Sequence, residues 1–184
     1  EPFLAAPNAE AAERAGYRGF CNASHLVVCD ESHPRFGQML HASDLGLPHG
    51  GEAYGEGDAV LVVEEGSDEP TPAGRCERAR LWVARSISTP GGELAVKSSF
   101  QLLAEASREH SLEQYSAECA VPVADIKALA REFTSHGTRA AVITHGGTMS
   151  ANGFYTAWAI MMLNAMIGNL NARGGAVASG GKFD

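Results

Sequence analysis

The chain of 184 residues contains no Cys-x-x-Cys pair and no Cys/His cluster. Its four cysteines, Cys21, Cys29, Cys76 and Cys119, are widely and irregularly spaced, which argues against an iron–sulfur cluster or a structural zinc held by these residues. They read as buried free thiols, with a Cys21–Cys29 bridge left open for an oxidising compartment. No run of Lys or Arg occurs, and the formal net charge is −8, so free nucleic acid and anionic membrane surfaces are poor partners. The longest apolar run, around Ala157 to Ile167, is interrupted by Asn164 and falls short of the roughly 20 residues a membrane-spanning helix needs. No signal peptide is visible. The dinucleotide fingerprint GxGxxG, the P-loop GK[ST], HExxH and any Ser-His-Asp or paired-carboxylate pattern are missing, so no catalytic acid, base or nucleophile and no metal ligand is assigned.

What is present describes an ordinary globular chain. Apolar residues make up 45% and charged residues 20%, enough for one well-buried domain or a domain with a substantial insertion. The first residues are Glu1-Pro2-Phe3 and the last are Lys182-Phe183-Asp184, just past a glycine-rich turn. Both ends read as internal to something larger.

Along the chain, residues 5–15 favour a short helix with Asn8 as N-cap and Gly16 as stop. The run from His25 to Asp30 fits a buried strand. Residues 31–56 carry turn dipeptides and little periodicity and read as a long loop, of the kind that is functional or disordered. Within it, Arg35 is either a contact for an anionic substrate or a solvated arginine. Strands are expected over 59–64, 80–88 and 94–98, with Thr89-Pro90-Gly91-Gly92 as a hairpin turn, so that 58–98 forms an antiparallel meander. Helices follow. Ser98 or Ser99 caps the first, Ser111 and Gln114 form a capping box for the second, and Pro122 sits in the first turn of the third. That third helix presents Ile126, Leu129, Ala130 and Phe133 and stops at Gly137.

From Thr138 to Gly175 the pattern is an apolar strand (139–144), a polar elbow (His145, Gly146, Gly147, Thr148, Met149, Ser150), an apolar helix (about Phe154 to Ile167) and a glycine-rich tail. A strand that runs through glycines into a helix lets backbone N–H groups approach an anionic ligand. The helix is apolar nearly all round and is expected to be buried between layers.

The order Val121-Pro122, Ile126, Ala130, Phe133, then Ile143 to Gly147, then Leu163, Gly168, Asn169, Gly174 and Gly175 resembles the end of the third domain of the bis-molybdopterin guanine dinucleotide oxidoreductases, the dimethyl-sulfoxide-reductase family. The passage Ala95 to Leu103 and the N-terminal stretches Asn22 to Val28 and His33 to Gly37 resemble the branch that reduces sulfur and arsenic oxyanions. The resemblance implies an α/β fold, an incomplete Rossmann-like layer with an antiparallel β insertion. The insertion, meander and long loop would occupy residues 1–98, and the helix–strand–helix end of the third domain residues 99–184. It further implies a segment of a molybdenum reductase that cleaves tetrathionate to thiosulfate, with reduction of arsenate or another oxyanion as the alternative. The elbow residues Gly146, Gly147 and Ser150, with His145, Thr148 and Asn152 as neighbours, would approach a molybdopterin guanine dinucleotide. Molybdenum and a 4Fe-4S cluster would be held by other parts of the protein, and the segment alone would bind no cofactor. Implied partners are a small sulfur oxyanion, an iron–sulfur electron-transfer subunit and a membrane quinol-oxidising subunit, in a periplasmic, membrane-associated complex. Outside that family, a stand-alone nucleotide-binding module and a subunit-docking domain built on loop 31–56 remain as alternatives.

Overall fold

The computed structural model describes residues 2–47, 57–144 and 148–176. Two compact units emerge, one comprising Glu1–Gly16 and Phe20–Arg108, the other Tyr17–Gly19 and Glu109–Asp184. The class is mixed α and β, and every strand pairing among the described residues is antiparallel.

In the first unit the expected N-terminal helix is two short ones, α1 (Pro2–Ala5) and α2 (Ala9–Arg14). Asn8 accounts for the second. Its Oδ1 accepts the Ala11 N–H at 2.8 Å, and its Nδ2 donates to the carbonyls of Ala73 and Cys76 at 2.7 and 2.8 Å. One side chain thus caps a helix and ties it to a turn more than sixty residues away. Five strands follow: β1 (Leu26–Val28), β2 (Leu61–Val63), β3 (Pro70–Pro72), β4 (Ala84–Thr89) and β5 (Gly92–Ser98). They form a sheet of order β1-β5-β4 and a separate pair β2-β3. The hairpin at Thr89 to Gly92 is present, with Gly92 at φ +119° where a side chain would be strained.

The single meander is therefore corrected. β2 pairs with Pro70–Pro72, a strand disguised by its two prolines, which lack N–H donors and survive only at a sheet edge. The strand expected from 80 begins at Ala84, because Arg80 instead donates its N–H to the Val63 carbonyl.

The long loop is corrected too, as far as residue 47; residues 48–56 lie outside the described part. The Leu40 N–H donates to the Leu26 carbonyl (2.8 Å) and the Leu40 carbonyl accepts the Leu61 N–H (3.0 Å), which wedges Leu40 between β1 and β2. Leu40 and Ala42 are fully buried beside Leu26, Val28, Leu61, Val83 and Val96 in the main core. A 3-10 turn, Ala42–Leu45, ends at Gly46 with φ +66°.

Arg35 matches neither reading made of it. It lies half-buried, donating to Asp44 Oδ1 at 3.2 Å and to the Met39 carbonyl at 3.1 Å, and the Asp44 carboxylate also accepts the His41 N–H. The guanidinium staples this segment into a fixed shape. Arg35→Ala should therefore cost about 1.5–3 kcal/mol in a denaturant titration, the range for losing hydrogen bonds to a charged group. Arg35→Lys should recover only part, because a single ammonium does not reproduce the two-pronged geometry.

β5 runs directly into α3 (Ser99–Ala106). Ser98 is the cap, its Oγ accepting the Gln101 N–H at 3.2 Å. Only one of the four thiols is buried, contrary to expectation: Cys76 is enclosed, Cys21 and Cys29 are half-covered and Cys119 is exposed, all of them free. Burial, with Glu64 nearby, pushes the Cys76 thiol up to about 11. A shift of that size leaves about 100-fold less thiolate at pH 8. Iodoacetamide labelling followed by mass spectrometry should modify Cys119 first and Cys76 only on unfolding.

The second unit holds α4 (Leu112–Cys119), α5 (Val123–Ser135) and α6 (Gly153–Met166). The Ser111–Gln114 capping box is formed in both directions. Pro122 is the N-cap of α5, one position before the first turn. No α5 side chain is buried, and Leu129, expected on the apolar face, is 71% exposed.

Two expectations for this unit fail. Residues 139–144 are not a strand: Gly137–Arg139 is a 3-10 turn, and 140–144 has no ladder partner among the described residues. Nor is α6 buried between layers. Phe154, Tyr155 and Trp158 are 69%, 75% and 59% exposed. An apolar helix presents the same chemistry on every side, and the described residues cover only the side that carries Gly153 and Asn164.

Candidate functional site

Of the six elbow residues singled out from the sequence, His145, Gly146 and Gly147 lie outside the described part. Thr148 is half-buried, and Ser150 and Asn152 are exposed. These three form the turn that delivers the chain into α6. The Ser150 carbonyl accepts the Gly153 N–H at 2.9 Å, and the Asn152 carbonyl accepts the Thr156 N–H at 3.1 Å. Asn152 is the N-cap residue, yet its side chain makes no capping bond. The first-turn N–H groups, which carry the positive end of the helix dipole, thus receive no capping bond from the Asn152 side chain.

The turn is pressed against the helix start. A Cβ on Gly153 would stand 1.9 Å from the Thr148 carbonyl oxygen, a separation no side chain tolerates. Glycine is required here for close backbone approach.

The backbone before the elbow is held by side chains in place of a neighbouring strand. Asn164 Oδ1 accepts the Val142 N–H at 3.0 Å, and Asn164 Nδ2 donates to the Val142 carbonyl at 2.7 Å and to the Ile160 carbonyl at 2.9 Å. Asn169 Nδ2 donates to the Ala140 carbonyl at 2.5 Å and to Asn164 Oδ1 at 2.8 Å. The Asn164 amide thus exchanges both bonds with Val142, as a residue of a paired antiparallel strand would. Both asparagines are essentially inaccessible to solvent, and Asn169 Oδ1 is buried without a hydrogen-bond partner. The glycine-rich tail closes over them. Gly168 is left-handed at φ +68°, and a Cβ on Gly175 would lie 2.1 Å from the Asn169 carbonyl oxygen.

Charge sets this stretch apart. None of the chain's 22 acidic residues falls between Glu132 and Asp184. The described part of the elbow carries hydroxyls at Thr148 and Ser150 and an amide at Asn152, with no carboxylate near it in sequence. That donor set suits an acceptor-rich, anionic ligand such as a pyrophosphate. Among the described residues no group of His, Cys, Asp and Glu could hold a metal ion, and no described helix is long and apolar enough to cross a membrane.

Asn164 and Asn169 were not among the site residues expected from the sequence. The available signal was Asn164 itself, a lone amide inside an otherwise apolar helix, which has to find buried partners.

Comparison with known proteins decides the relationship. The tetrathionate reductase A-subunit of Salmonella typhimurium is 45% identical over 183 residues, 99% of this chain and 17% of that protein. The chain is homologous to one segment of the tetrathionate reductase A-subunit. The corresponding protein of Archaeoglobus fulgidus is 33% identical over 174 residues, 94% of this chain and 14% of that protein. The selenate reductase A-subunit of Mesobacillus selenatarsenatis is 28% identical over 183 residues, 97% of this chain and 16% of that protein. The chain thus spans about one sixth of the length of these curated relatives. No protein-family model matches it.

Proposed function

We propose that this chain is a segment of the catalytic subunit of a molybdenum-dependent reductase that converts tetrathionate to two thiosulfates. The observation that carries the reading is identity at 45% across 99% of the chain to a protein bearing that activity in its name. The exposed apolar face of α6 supports it, since such a face is stable in a folded protein when further polypeptide covers it.

The segment's own part is to form one wall of a cofactor cleft. The acid-free start of α6, where the Asn152 side chain makes no capping bond, fits a pterin guanine dinucleotide. The backbone of Gly146 and Gly147 and the hydroxyls of Thr148 and Ser150 would hold it, with His145 and Asn152 beside them. When bound, that group and its molybdenum supply the two-electron chemistry; the residues here bind and orient. None of them is assigned a proton transfer. The electrons would come from a membrane quinol-oxidising subunit, by way of an iron–sulfur subunit, to a 4Fe-4S cluster elsewhere in the full-length protein. A periplasmic, membrane-associated complex is the setting proposed.

The test is production of the full-length protein with its partner subunits in a molybdopterin-competent host, followed by molybdenum analysis and oxidation of reduced viologen. Tetrathionate should be the best acceptor. Preference for selenate or arsenate would overturn the substrate and keep the cofactor role; nucleotide binding without molybdenum would overturn both.

A further inference from the structure

We infer that Asn164 and Asn169 are positioning residues whose amides hold the polypeptide entering the elbow in register with α6. The inference rests on the cofactor role proposed for the elbow.

α6 grips both flanks of that elbow. At its first residue, Gly153 lies in close contact with the Thr148 carbonyl and donates to the Ser150 carbonyl. About three helical turns further on, Asn164 takes both hydrogen-bonding groups of Val142. Asn169, just past the helix, takes the Ala140 carbonyl and bonds to Asn164. The ligand-facing backbone thus leaves one anchor on α6 and returns to another. A β-ladder could not do this for residues 140–144, which have no strand neighbour among the described residues. The amides are poorly explained as a device for stability alone. They sit in and just beyond an apolar helix, and they leave Asn169 Oδ1 buried without a hydrogen-bond partner. What they provide is a fixed register for the chain on the ligand side, because each amide bonds to one named backbone group.

The glycine-rich tail gains a role from the same geometry. Gly175 lies against the Asn169 backbone, so the tail holds Asn169 in place and acts on the elbow through it.

The test uses the full-length, cofactor-loaded protein and its Asn164→Leu, Asn169→Leu and Asn164→Asp variants. Hydrogen exchange reports on residues 140–144, and bound pterin is counted after oxidation to its fluorescent products. Asn164→Leu should speed exchange at the Val142 amide at least tenfold and lower bound pterin at least tenfold, while exchange in β5 stays at the wild-type rate. Asn169→Leu should do the same in milder form. Asn164→Asp keeps the acceptor for the Val142 N–H and should restore part of both losses. Faster exchange at Val142 with wild-type pterin content would overturn the positioning role, and unchanged exchange would overturn the clasp. If Asn164→Leu also loosens β5, the decision passes to Asn164→Asp, for which wild-type pterin retention with faster Val142 exchange again counts against the inference. A wild-type protein lacking pterin would sink the cofactor reading alone, since the exchange arm still judges the clasp.

Discussion

Gly153→Ala should detach the Thr148–Asn152 turn from the start of α6. The added methyl would stand 1.9 Å from a backbone oxygen, and backbone on both sides leaves nothing flexible to yield. Either the turn or the first helical residue has to move by more than an ångström. Overpacking of this kind costs about 1–3 kcal/mol when side chains can adjust, and a backbone clash belongs at or above the upper end. The consequence is local. In full-length protein, exchange should rise over residues 148–156 and cofactor content should fall severely, while the β1-β5-β4 sheet keeps its protection. Gly74→Ala is the matched control, because a Cβ there meets nothing within 4 Å; its effect should stay within about 0.5 kcal/mol.

Gly175→Ala should be the second severe substitution, acting at a distance from the elbow. Its methyl would lie 2.1 Å from the Asn169 carbonyl oxygen and 2.9 Å from the Asn169 Cβ. Relief requires Asn169 to move, and Asn169 holds the Ala140 carbonyl and Asn164 Oδ1. Loss of those two bonds in a buried site costs about 1–3 kcal/mol for each group left unsatisfied. Hydrogen exchange should therefore accelerate at residues 140–142, some thirty positions away in sequence, before it does so anywhere in the first unit. Acceleration limited to residues 172–176 would show that the tail does not support the clasp.

Local chemistry was the legible part of this chain. Asn8, Ser98 and the Ser111–Gln114 pair cap helices because a short side chain with an oxygen acceptor ahead of an apolar run has few other uses. Thr89 to Gly92 turns a hairpin for a similar reason. Longer-range pairing stayed hidden. Two prolines concealed β3, and turn dipeptides on either side of Leu40 concealed a core residue in what read as loop. Residues 140–144 have the composition of a strand, yet their partner is a pair of side-chain amides, which no strand pattern encodes. The apolar surface of α6 suggested burial between layers, yet Phe154, Tyr155 and Trp158 stand exposed among the described residues. At the candidate site, Thr148, Ser150 and Asn152 were singled out as polar groups that follow paired glycines, whereas Asn164 and Asn169, which hold the backbone before the elbow, were not. An acid-free stretch from 133 to 183 was equally open to reading and is compatible with the anionic ligand proposed above.

The most direct measurement of the cofactor-facing role is hydroxyl-radical footprinting of the full-length protein in cofactor-loaded and cofactor-free forms, the latter from a host unable to make molybdopterin. Met149, at 81% exposure, is a sensitive reporter inside the elbow, and Phe36, at 53% exposure in the first unit, serves as the reference. Met149 and its neighbours should be labelled several-fold less in the loaded form, with Phe36 unchanged. Equal labelling of Met149 in the two forms, with protection elsewhere in the protein, would contradict the placement of the cofactor against this elbow.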